Sequence, residues 1–156
     1  MQLKPLASLL GLVFLSSSAM ASSTIERVPA PNDFPISTVV TVPSDAKTYY
    51  LSGVVPAKQE DGSYGDTKTQ TVSVLKQIEI NLIKQGLTLG DVVKMQVFLV
   101  ADENKENKMD FAGFMEGYTQ FFGTKEQPIT PARSAFEISK LAFPGMLVEI
   151  EVTAAK

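Results

Sequence analysis

The sequence predicts an α+β protein, with two helices on one face of a mixed sheet and elements in the order β-β-α-β-α-β-β. Three observations carry this. Two segments, one from Asp66 to Gly86 and one from about Lys108 to Phe122, place apolar residues at helical spacing. The chain closes in two runs, ARSAFEISKL and MLVEIEVTAA, in which apolar and polar residues alternate as in half-buried strands. No internal repeat or composition break divides the chain, so helices and strands should share one core.

The N-terminus reads as an address. Lys4 precedes an apolar run from Leu6 to Leu15, then Ser16 to Ser18 and Ala19-Met20-Ala21, the pattern of a signal peptide cleaved after Ala21. The run falls short of the about 20 apolar residues that span a bilayer, and no cysteine follows to carry a lipid. The expected organisation is therefore a signal peptide over residues 1–21 and one domain over 22–156, exported to the periplasm or secreted and off the membrane after cleavage. A buried N-terminal helix is the alternative.

Residues 22–37, rich in Pro, Ser and Asn, should run extended into a first strand at STVVTV. TYYLSGVVP, dense in β-branched and aromatic residues, is the second strand, and PSDAK between them suits an antiparallel pair. EDGSYGD is a turn cluster. Asp66 or Thr67 can cap the first helix, whose apolar positions are Val72, Leu75, Ile78, Leu82 and Ile83, and Gly86 suits a left-handed C-terminal residue. DVVKMQVFLV is a largely buried strand. In the second helix Phe111, Phe114, Met115, Tyr118, Phe121 and Phe122 form one stripe, which we read as core.

Alternation assigns faces in the closing strands. Phe136 and Ile138 should join Val148, Ile150 and Val152 under the helices. Arg133, Ala135, Glu137, Leu147, Glu149 and Glu151 should occupy the opposite face, half ionic and half apolar. Such a face suits packing against another copy around a cleft. There the planar fork of Arg133 could grip a carboxylate with two hydrogen bonds; the alternative is an ordinary ion pair with Glu137 or Glu149.

Absences prune the chemistry. With no histidine and no cysteine, a Ser-His-Asp triad, a Cys-His pair and His- or Cys-ligated zinc are excluded. Asp102, Asn104 and Glu106 imitate the start of a calcium loop, but Asn107 stands where glycine is required and Gly113 where the closing glutamate belongs. That stretch reads as solvated loop, and no metal site is expected. The formal charge is −3, with lysines scattered among acids, which argues against nucleic acid as a partner.

QGLTLGDVVKMQVFLV, FAGFMEGYTQFF, LSGVVP and PARSAFEISKL followed by LVEIEVTA resemble the reactive intermediate deaminase (RidA/YjgF) family, formerly known as L-PSP endoribonuclease, over roughly residues 34–155. The resemblance implies a chorismate-mutase-like fold, a homotrimer with three clefts between subunits, and hydrolysis of 2-imino acids or their enamine tautomers to 2-keto acids and ammonia. It implies that Arg133 grips the substrate carboxylate, and that Glu149 positions the attacking water. The Ala135 backbone N–H and C=O would orient substrate and water, with Ser52 and Gly53 lining the cleft. Such a reaction needs no metal, cofactor or protein nucleophile. Two departures stand out: Ile36 occupies the place of a family tyrosine, and Met115 that of an asparagine. Loop 101–110 and the LAFPGM connection are longer than usual. These changes make the cleft more apolar, and Ile36 in place of tyrosine favours, as a rival, a trimer that binds a small carboxylate without turning it over. Ribonuclease action is disfavoured by the acidic balance and the lack of histidine.

Overall fold

A computed structural model describes residues 24–156; the signal peptide expected over residues 1–21 lies outside them. Strands β1 (Glu26–Pro29), β2 (Ser37–Thr41) and β3 (Thr48–Val54) precede helix α1 (Thr67–Ile83). Then come β4 (Val92–Asp102), the short β5 (Lys108–Met109), helix α2 (Phe111–Tyr118), β6 (Ala132–Ile138) and β7 (Val148–Ala155). The sheet order is β1-β2-β6-β4-β7-β3, with β5 paired to β4. The β4–β6 and β2–β6 pairs are parallel and the others antiparallel. The expected two helices on a mixed sheet are present.

Helix α1 starts where its cap directs it: the Asp66 carboxylate accepts from the Thr69 N–H at 2.8 Å. It ends at Gly86, whose φ of 72° is the left-handed conformation expected there. Leu75, Ile78 and Leu82 are buried as expected, but Ile83 is 62% exposed. Val74, Thr71 and Gln70 complete the inner face instead. Gln70 can be fully buried because its amide is satisfied. Nε2 donates to the Gly65 and Gly145 carbonyls and Oε1 accepts from the Leu147 N–H.

Three expectations need correction. β2 and β3 do not form a hairpin. β2 runs parallel to β6 and β4, while β3 is antiparallel to β7, itself antiparallel to β4. The two therefore point the same way, and β1, expected only as extended chain, supplies the antiparallel partner of β2. The second helix is shorter than 108–122. Lys108 and Met109 pair with the end of β4, and Asp110 then caps α2 by accepting from the Gly113 N–H. Phe122 lies beyond the helix yet still stacks on Tyr118, ring centroids 5.0 Å apart. Finally, the face assignment of β6 is reversed. Met95, Val97 and Leu99 of β4 are buried beneath the helices and stand beside Arg133, Ala135 and Glu137. Phe136, 46% exposed, stacks with Phe98 on the open face instead. Alternation correctly grouped the residues of β6; the pairing of β6 with β4, which alternation cannot supply, decides which group faces inward.

The core joins Leu75, Ile78 and Leu82 of α1 and Phe114 and Tyr118 of α2 to the inner residues of β4 and β7, Val148, Ile150 and Val152 among them. Each such side chain contributes about 1.5–3 kcal/mol when fully buried. Of the aromatic stripe read as core, Phe114, Tyr118 and Phe122 are buried and Met115 and Phe121 pack partly against them, whereas Phe111 is 36% exposed and lies outside the core.

Candidate active site

Arg133 extends from β6 beneath α2 and into a cluster of aromatic rings. Its guanidinium carbon lies 4.3 Å from the ring centroid of Tyr118, 4.9 Å from Phe114, 5.6 Å from Phe34 and 5.9 Å from Phe111. Ring faces attract a cation and offset part of the desolvation it suffers. Burial lowers the Arg133 pKa from its ordinary value, with Tyr118 opposing, yet a guanidinium in a protein keeps its proton. Nη2 donates to the Met115 thioether at 3.2 Å, a weak acceptor. Nη1 is buried with no hydrogen-bond partner.

Among the described residues no carboxylate pairs with this cation. Glu137, on the same face, accepts from the Met109 N–H at 2.7 Å. Glu149 lies on the other face, in register with Phe98. The expectation of Arg133 close to several carboxylates is thus corrected, and neither cross-strand ion pair forms. Arg133 instead presents an unsatisfied donor inside an apolar enclosure, an arrangement costly enough to ask for an anion.

Tyr118 holds part of the enclosure together. Its hydroxyl donates to the Pro35 carbonyl at 2.8 Å, and burial raises its pKa, so it remains a donor near neutral pH. This bond fixes the segment that carries Phe34 and Ile36. Ile36 is half-buried in a tight turn, its N–H donating to the Phe34 carbonyl at 2.7 Å. The residue that reaches Arg133 from this segment is Phe34, which sequence reasoning missed. Phe111, Phe114 and Tyr118 were legible as a helical stripe; that their rings also cover a cation was not.

Ala135 is half-buried beside Val97. The Pro131 carbonyl accepts from the Ser37 N–H at 2.9 Å, so it faces β2. Backbone groups of alternate residues face the same side of a strand, which turns the N–H and C=O of Ala135 to that side too. β2 pairs with β6 only at Ser37 and Ala132, leaving the Ala135 groups at an open edge.

A second group assembles on the open face. The β3–β7 register shifts between Leu51 and Val54, bulging Ser52 and Gly53 out of the ladder. The Glu149 carboxylate lies directly over Gly53, where any Cβ would overlap Oε1. Exposed Ser52 borders two hollows of about 380 and 470 Å³. One chain therefore brings Ser52, Gly53 and Glu149 together, and separately Arg133 and the edge at Ala135, but the sheet stands between the two groups. Among the described residues no cluster of three Asp or Glu side chains could hold a metal. In the loop that imitates a calcium site, Asp102 accepts from the Asn104 N–H.

This fold has known counterparts. A family profile described as Endoribonuclease L-PSP matches residues 30–156. A RutC family protein of Pyrococcus abyssi is 36% identical over 109 residues, 69% of this chain and 77% of that one. A protein of Salmonella typhimurium named 2-iminobutanoate/2-iminopropanoate deaminase is 33% identical over 106 residues, 67% of this chain and 77% of that one. Among solved structures, the Rid family protein YyfB of Yersinia pestis is similar at a TM-score of 0.66 and 26% identity, covering 85% of this chain and 98% of that one. Escherichia coli TdcF with bound serine is similar at 0.58 and 29%, covering 86% and 98%. The chain belongs to the Endoribonuclease L-PSP family, the RidA/YjgF family of the sequence resemblance.

Proposed function

We propose that this protein is a RidA-type deaminase that hydrolyses 2-imino acids, or their enamine tautomers, to 2-keto acids and ammonia in clefts between the copies of a homotrimer. The observation that carries the reading is Arg133: a caged cation that, among the described residues, has no carboxylate partner and a buried, unpartnered Nη1. Its natural complement is a ligand carboxylate. Arg133 and Glu149 lie on opposite faces of one sheet, so a cleft that uses both must take them from two copies.

In that cleft Arg133 and the Ala135 edge of one copy bind and orient the imino acid. Ser52, Gly53 and Glu149 of another present the water. The water oxygen attacks the imine carbon as Glu149 takes one of its protons; the C=N electron pair moves to nitrogen, which receives that proton from Glu149 to give the neutral carbinolamine. Glu149 then takes the carbinolamine hydroxyl proton and passes it to nitrogen as the C–N bond breaks, so ammonia leaves with the C–N electron pair and the C–O bond becomes the keto carbonyl. An imine is already electrophilic, so holding it beside an oriented water supplies most of the acceleration. No cofactor is required. The name of the Salmonella relative supports this chemistry.

The test is keto acid release from 2-imino acids generated in situ by an amino-acid oxidase. Acceleration above spontaneous hydrolysis is expected; its absence at high protein concentration overturns the deaminase reading. The rival reading, a trimer that only binds small carboxylates, is favoured by one observation: Met115 already engages Nη2. Calorimetric binding of a keto acid without turnover would establish it.

A further inference from the structure

The rings around Arg133 also bear on what its ligand carries beyond the carboxylate. Phe34 is 40% exposed and Phe111 36% exposed, their centroids 5.6 and 5.9 Å from the guanidinium carbon. Two aromatic surfaces thus meet solvent beside the buried donor. A carboxylate that binds the guanidinium from the side of those two exposed rings would bring the following carbons of its ligand towards them. The polar side-chain groups that touch this aromatic wall are already engaged. The Tyr118 hydroxyl donates to Pro35, and the Met115 thioether accepts from Nη2. A hydroxyl on the ligand held against Phe34 and Phe111 would lose its water and gain no strong partner from the rings. An apolar side chain would bury its own surface and that of Phe34 and Phe111.

Resting on the deaminase reading above, we infer that this site selects 2-imino acids with a bulky apolar side chain, branched aliphatic or aromatic, over small or hydroxylated ones. Phe34 and Phe111 are the residues that set the preference. They act on the substrate side chain, and Arg133 on its carboxylate, so the two roles separate in experiment.

Two measurements on the purified protein test this. The first compares kcat/KM for imino acids generated from alanine, serine, leucine and phenylalanine. The leucine and phenylalanine substrates should exceed the alanine and serine ones by about tenfold or more, a discrimination within reach of even one methylene in an apolar pocket. In Phe34→Ala and Phe111→Ala the leucine-to-alanine ratio should fall towards one. The second measures calorimetric binding of pyruvate, 2-oxo-4-methylpentanoate and phenylpyruvate, where the two larger acids should bind more tightly. Equal kcat/KM across all four substrates overturns the inference and leaves the deaminase reading standing. No turnover, with the larger keto acids still bound more tightly, upholds the ligand class and overturns the deaminase reading. Neither turnover nor binding of any acid overturns both.

Discussion

Arg133 concentrates the functional argument at the scale of a residue. A structural ion pair has a partner to lose, and Arg133 has none among the described residues: it has rings, a thioether and an unpartnered Nη1. Arg133→Ala removes a desolvated cation and leaves no carboxylate stranded, so the protein should stay folded. Carboxylate binding or kcat/KM should fall at least tenfold, because a hydrogen bond to a charged group contributes about 1.5–3 kcal/mol. Arg133→Lys should recover only part, keeping the charge and losing the fork. Thermal unfolding and keto acid release on the same samples check this; a variant that melts early with full activity would return Arg133 to the scaffold. Gly53 makes the matching case on the other face. A Cβ there would overlap the Glu149 carboxylate, the far end of a flexible side chain. Gly53→Ala should therefore fold normally, displace Glu149 and depress kcat more than it weakens keto acid binding.

Among the elements, the site depends on how closely α2 approaches α1, since α2 carries three of the four rings around Arg133. The approach is set at Gly117, where a Cβ would stand 2.7 Å from Thr71 Cβ and 2.8 Å from Thr71 Cγ2. Gly117→Ala should cost about 1–3 kcal/mol through overpacking, although alanine by itself favours a helix by about 1 kcal/mol over glycine. Denaturant unfolding should show net destabilisation. Adding Thr71→Ser, which removes Cγ2 and can keep the hydroxyl bond to the Thr67 carbonyl, should restore part of the loss. A destabilisation unchanged by the second substitution would place the conflict elsewhere.

For the whole molecule, the two half-sites are separated by the sheet that supports them both. If copies complete each other's sites, mixed trimers should show complementation. Arg133→Ala and Glu149→Gln chains, each inactive alone, should on refolding together regain about a quarter of wild-type activity, the share of interfaces at which both intact residues meet in a cyclic trimer. No recovery, in mixtures shown by mass to contain mixed trimers, would refute the shared site. Sedimentation should give a trimer at micromolar concentration, with the open-face Phe136 covered. Mass spectrometry of the protein from its native host should find a chain beginning at Ser22; retention of Met1 would contradict export.

By itself the sequence determined the class of fold, the approximate bounds of α1 with its cap at Asp66 or Thr67, the strands around Arg133 and Glu149, and through its motifs the family. These follow from periodicity, capping chemistry and short signatures, all local to the chain. Tertiary structure alone decided which face of β6 turns inward, that β1 rather than β3 partners β2, and that Phe34 reaches Arg133 from a distant segment. Those outcomes rest on strand pairing and on contacts between residues far apart in the chain. Alternation groups side chains by face but cannot name the face that the helices will cover. For Arg133 that choice matters most: beneath α2 it is enclosed by rings and, among the described residues, has no carboxylate to pair with.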